Sequence, residues 1–163
     1  VIAQYLDHVA RGPEKSLPSL SSSSSSSSIT AAAADDHDDG DATLARFEAL
    51  TTESLCDGIC EAALALRYER LERPENLLWD EWVRGQLSKI TRAVPMLSQR
   101  VTSVDPECRV LPLDAIAAAV SLYYVDRRAP DSNWRRVEGG ERLDEWYRAV
   151  QRRTSWRETP FVR

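Results

Sequence analysis

Between Leu113 and Val125 the chain reads Leu-Asp-Ala-Ile-Ala-Ala-Ala-Val-Ser-Leu-Tyr-Tyr-Val, with one charge and neither glycine nor proline. That stretch limits the possible folds more than any other. Leu113, Ile116, Ala117, Val120 and Tyr124 recur at three- and four-residue intervals, the spacing of one helix face. The alanines in the middle leave little side chain to hold neighbouring helices away. This segment is therefore expected to be the central, most buried helix. Pro130 and Asp131 stop it, and Trp134-Arg135 follow within one turn. No stretch of alternating apolar and polar residues competes, so the predicted class is all-α.

The rest of the chain divides into three parts. Ile2, Tyr5, Leu6 and Val9 give residues 1–10 a short helix with one apolar face, ended at Arg11-Gly12-Pro13. Residues 11–40 form a low-complexity linker with eight consecutive serines, Ser21 to Ser28, then four alanines and an acidic run. Such a composition buries too little apolar area to offset its ordering entropy, and disorder is expected. A helical domain spans 41–163. Its first long helix carries Leu44, Phe47, Leu55, Ile59, Ala62, Ala63 and Leu66 and ends before Pro74, because a residue preceding proline disfavours helix. A second starts at Pro74-Glu75 with Trp79, Val83, Leu87, Ile90, Val94 and Leu97 on one stripe. Pro95 is expected to kink or end it. Gly139-Gly140 supplies a turn before a last helix of Leu143, Trp146, Tyr147 and Val150, followed by Trp156.

Charge and cysteine content exclude several function classes. The formal net charge is -5, and Asp35, Asp36, Asp38, Asp39 and Asp41 account for all of it. The helical part is balanced and shows no basic face, which argues against nucleic acid or an anionic membrane as a partner. No apolar run approaches the ~20 residues that span a bilayer. Three cysteines, an odd number without the spacing of a disulfide framework, suggest a reducing compartment, by default the cytoplasm. A first residue of Val in place of Met suggests a fragment. Cys56 and Cys60 could share a helix face, but two thiols do not make a zinc site and neither His8 nor His37 has a neighbour at ligand spacing. No metal is expected.

Two islands carry a family resemblance. The segment from Ala115 through Pro130-Asp131-Ser132-Asn133-Trp134-Arg135 resembles the sixth-helix region of soluble glutathione S-transferases. Tyr68-Glu69-Arg70-Leu71-Glu72-Arg73-Pro74-Glu75, followed by Trp82 and Lys89, is similar to the junction of the fourth and fifth helices in bacterial and fungal members. Residues 1–10 look like the last helix of that family's thioredoxin-like domain. The resemblance implies an all-α C-terminal helical bundle that supplies the electrophile pocket and a homodimer interface through the two long helices. It also implies that the catalytic Ser, Tyr or Cys and the glutathione site lie upstream. No catalytic residue is expected in this chain, and glutathione is implied as co-substrate, not cofactor. Conjugation would then require the thioredoxin-like domain. The alternatives are a non-catalytic interaction module of the same fold and a decayed gene product.

The same resemblance nominates site residues. Glu61 matches an acid that reaches across the dimer to the glutathione amino group, a natural pairing of carboxylate and ammonium; the plainer reading is a solvated acid on a helix face. Arg67, Tyr68 and Leu71 match the electrophile pocket, but Tyr68 and Leu71 also read as core or interface contacts and Arg67 as an ion-paired surface residue. Ile116 matches a core isoleucine. Asp126, Asp131 and Trp134 are read as structural, fixing the turn after the central helix. The family's capping box is missing: its cap position falls on Pro112 and its N3 position on Ala115, with Asp114 one residue early.

Overall fold

The computed structural model describes residues 38–159. The short helix expected over 1–10 and most of the linker expected over 11–40 lie outside them. Five α-helices follow one another: α1 Asp38–Leu71, α2 Asp80–Val101, α3 Leu113–Arg128, α4 Gly140–Gln151 and α5 Thr154–Glu158. Single 3-10 turns occur at Glu75–Leu77, Pro130–Ser132 and Trp134–Arg136. There is no strand among the described residues, so the chain is all-α. By compactness it divides into two units, Val1–Ala49 and Leu50–Arg163. In the first, Leu44 and Phe47 stand exposed.

The second unit holds the core. Cys56, Ile59, Ala62, Ala63 and Leu66 of α1 join Ile90, Val94, Leu97 and Val101 of α2 in it. Leu122 and Val125 of α3 and Leu143, Trp146, Tyr147 and Val150 of α4 complete it. α2 packs against both α3 and α4. On α3, Ala115, Ala118 and Ala119 are wholly buried, as the alanine run requires of a central helix.

The face of α3 differs from the expected one. Ile116 is 43% exposed and Val120 50% exposed, and the core side is formed by Ala115, Ala118, Ala119, Ser121, Leu122 and Val125. The apolar pattern of α3 runs nearly all the way round, so two stripes satisfy the same periodicity. The core takes the alanine stripe because its neighbours lie too close for larger side chains. The helix is central, and Ile116 is not one of its core residues.

Three smaller expectations also need correcting. Pro95 does not end α2, which continues to Val101. A proline inside a helix costs about 3 kcal/mol, and the burial of Val94, Leu97, Ser98 and Val101 around it outweighs that. Pro74-Glu75 starts only a 3-10 turn. Trp79 is therefore not on the stripe of α2 but is its N-cap residue, 59% exposed. Leu44 and Phe47 do not continue the buried stripe of α1.

Candidate functional site

The turn after α3 is the best-built polar feature. Trp134 is buried, and its indole Nε1–H donates to Asp126 Oδ1 at 2.9 Å. The Arg135 guanidinium grips the same carboxylate through two bonds of 2.7 Å and lies 4.2 Å from the centre of the Trp134 ring. Its Nε donates to Asp144 Oδ1 at 2.7 Å, and Arg148 pairs with the other Asp144 oxygen at 2.7 Å. Forked bonds between guanidinium and carboxylate fix orientation as well as position. Asp131 receives a second fork, from Arg70 near the end of α1, at 2.8 and 2.6 Å. That arginine holds the Asp131 carboxyl below the usual carboxylate range.

Gly139 and Gly140 close this unit. Gly139 has φ +73°, a conformation other residues adopt only at a cost. A Cβ on Gly140 would lie 2.3 Å from the Trp134 carbonyl oxygen, so the exit turn rests directly on the start of α4. The network is thus an anchor joining α1, α3 and α4. Its cations and anions are mutually satisfied, which leaves it no free group for catalysis.

Glu69 escaped the reading of the sequence. It is buried beneath the α1–α2 junction, where Oε2 accepts from Arg73 Nε at 2.7 Å and Oε1 from the Trp79 amide at 3.1 Å. Its position inside the Tyr68–Glu75 island was the available signal.

The residues nominated for ligand contact share a surface. Glu61, Leu64, Tyr68 and Leu71 are exposed at intervals of three and four along α1, hence on one face, with Tyr68 57% and Leu71 60% exposed. Tyr68 and Leu71 are not core contacts. Arg67 is half-buried beside them and has no ion pair among the described residues. Glu61 and Tyr68 are seven residues apart, about 10 Å along the helix axis. Of these four, Glu61 is the acid and lies at the N-terminal side, with Leu64, Tyr68 and Leu71 beyond it.

A second apolar surface lies on α3. Val110, Leu111, Ile116, Val120, Tyr123 and Trp156 line a groove of about 520 Å³. Its floor is continuous with the anchor through edge-on aromatic contacts: Tyr123 to Trp156 at 5.9 Å, Trp156 to Tyr147 at 6.0 Å, and Tyr147 to Trp134 at 6.4 Å. The two exposed large apolar side chains of α3, Ile116 and Val120, thus belong to a shaped surface.

The thiols on α1 are not poised for chemistry. Burial pushes Cys56 up to about 12 and Cys60 up to about 11, against an ordinary 9.0. A thiol held protonated is a poor nucleophile and a poor metal ligand. Among the described residues no three His, Cys, Asp or Glu side chains gather as a metal site, and no helix is long and apolar enough to cross a membrane.

No protein-family profile matches the chain, and no curated protein matches it. Solved structures do. One is a glutathione transferase family member from Pseudomonas fluorescens Pf-5 with bound S-(propanoic acid)-glutathione, 34% identical, with a TM-score of 0.63 over 72% of this chain and 59% of that one. A glutathione S-transferase from Methylobacillus flagellatus KT with glutathione bound is 26% identical, with a TM-score of 0.67 over 99% of this chain and 68% of that one. A third, from Methylobacterium radiotolerans JCM 2831 in complex with glutathione sulfonate, is 26% identical, with a TM-score of 0.59 over 72% and 55%. The chain thus spans little more than half the length of the Pseudomonas relative. The likeness in fold to these solved structures, with no strand among the described residues, places the chain in the glutathione transferase family as a C-terminal helical domain.

Proposed function

We propose that this domain supplies the electrophile-binding and dimer-forming half of a glutathione transferase and that conjugation depends on a thioredoxin-like domain seated on it. The groove of Val110, Leu111, Ile116, Val120, Tyr123 and Trp156 carries this reading. Half-exposed Ile116 and Val120 on the central helix cost stability in water, at about 25 cal/mol per Å² of apolar area left uncovered, unless another surface covers them. The similar structures, longer than this chain and holding glutathione or a derivative, supply a covering domain by analogy.

In this reading the chain's own groups bind and orient and do not activate the thiol. Glu61 offers a carboxylate to the ammonium group of glutathione held by the second subunit. Arg67, Tyr68 and Leu71 contribute to the electrophile pocket, with Tyr68 and Leu71 giving apolar area and Arg67 a cation for developing negative charge. The exposed apolar face of α1 forms the homodimer contact. Lowering the thiol pKa is left to the other domain, since the cysteines of α1 are held protonated.

The test is turnover of a general aryl halide with glutathione. The purified chain alone is expected to show none above the uncatalysed rate. Fusion behind the thioredoxin-like half of the Pseudomonas relative is expected to restore it, and Ile116→Glu with Val120→Glu to abolish it again. Glutathione-dependent turnover by the chain alone would overturn the proposal.

A further inference from the structure

Four arginines of the second unit are paired with carboxylates. Arg70 is paired with Asp131, Arg73 with Glu69, Arg135 with Asp126 and Asp144, and Arg148 with Asp144. At the junction of α4 and α5 three others lie together without such a partner. A cleft of about 490 Å³ is lined by Arg109, Arg152 and Arg153 together with Glu107, Cys108, Thr154 and Ser155. None of the three arginines is ion-paired to a carboxylate among the described residues. Glu107 is the single acid on the lining.

Arg153 is fixed in place. Its Nη1 donates to the carbonyls of Pro106 at 2.7 Å and Cys108 at 2.8 Å, and Nη2 reaches the Arg109 carbonyl at 3.4 Å. These bonds hold the loop before α3 against the end of α4, and Trp146 Nε1 donating to the Val104 carbonyl at 3.0 Å reinforces it. The guanidinium is therefore committed to neutral carbonyls and forms no ion pair with a carboxylate among the described residues. The loop it fixes carries Arg109, and the residue before Arg153, at the C-cap of α4, is Arg152. Three like charges around one opening repel each other, and an anion placed between them removes the repulsion and gains forked hydrogen bonds.

From this juxtaposition of Arg109, Arg152 and Arg153 with the hydroxyls of Thr154 and Ser155 in one cleft, we propose a binding site for a small anion carrying carboxylate or phosphate groups. The cleft adjoins the apolar groove through Arg153 and Ser155. It does not depend on the conjugation reading, since none of its cationic residues belongs to the face of α1. Arg153 holds the cleft, while Arg109 and Arg152, both exposed, close on the guest.

Inorganic phosphate and succinate are the probes, titrated into the full-length chain by calorimetry at low ionic strength. Saturable binding of one or both is expected, phosphate alone indicating a phosphate site and succinate alone a carboxylate site. Added sodium chloride is expected to weaken it, and Arg109→Ala with Arg152→Ala to lower affinity about ten-fold or more. Arg84→Ala, on the outer face of α2, is expected to leave it unchanged. A second readout needs no variant: Cys108 lines the cleft, so the bound probe is expected to slow its alkylation by iodoacetamide. No saturable binding of either probe, unchanged affinity in the double variant, or Cys108 alkylation indifferent to the probe would each overturn the site.

Discussion

Gly140 has no room for one methyl group, since a Cβ there would collide with the carbonyl of Trp134. The Gly140→Ala variant is expected to lose roughly 3 kcal/mol of stability, measured by urea unfolding, whereas Gly58→Ala, with nothing within 4 Å of the added carbon, is expected to gain up to about 1 kcal/mol through helix propensity. The glycine pair was legible in the sequence only as a turn. That Gly140 forms the bed of the Trp134 turn depends on a tertiary approach that no local pattern encodes. Glu69 was hidden for the same reason, since an acid on a helix looks solvated until the chain folds back over it. Cysteine behaviour also belongs here. The folded-state values of Cys56 and Cys60 lie above the ordinary 9.0, so their contribution to stability is complete below pH 9 and is lost as pH rises through 11 to 12. Stability measured at pH 8 and at pH 10.5 is expected to fall between the two, and Cys108 to be alkylated before either α1 thiol at pH 8. Asp131 works in the opposite sense. Its lowered value stabilises the fold above the ordinary carboxylate range, a contribution lost as pH falls through the folded-state value.

At the scale of elements, α3 shows what periodicity can and cannot decide. Its existence, bounds and central place follow from an unbroken apolar run closed by Pro130. Its core face does not, because apolar residues lie almost all round and only the distance to neighbouring helices selects the alanines. The start of α3 follows a related logic. Pro112 is the N-cap residue and makes no side-chain cap bond, yet the Asp114 carboxylate accepts from the Ala115 amide at 2.9 Å. The amide that a Ser or Thr cap would satisfy is thus served by Asp114. Asp114→Ala is expected to lower stability by about 1 kcal/mol. Ala115→Asp, which would supply the acid of a capping box, is expected to lower it by more, because Ala115 is wholly buried in the core and the carboxylate would lose its water. Thermal melting of both variants beside the parent chain checks the pair. The long α2 shows the opposite case, a clear local stop signal at Pro95 overruled by the burial of its surroundings.

For the molecule as a whole, the second unit is a helical domain whose polar anchor is internally satisfied and whose outward groups lie on two apolar surfaces. The family and the all-α class were legible because the motif from Ala115 to Arg135 spans a helix, its stop and its anchor in one uninterrupted stretch. The functional surfaces were only partly so. Ile116 was read as a core residue and is instead half-exposed on the groove. Tyr68 and Leu71 stand in water on α1. Both shifts have one physical content, that apolar area remains uncovered where a neighbouring surface would meet it. The most direct measurement is amide hydrogen exchange across Val110–Tyr123, made on the chain alone and on its fusion behind the thioredoxin-like half of the Pseudomonas relative. We expect exchange at Val110, Leu111 and the first turns of α3 to slow at least ten-fold in the fusion while the buried middle of α2 changes little. Equal exchange at the groove in both proteins would contradict a docking role for this face.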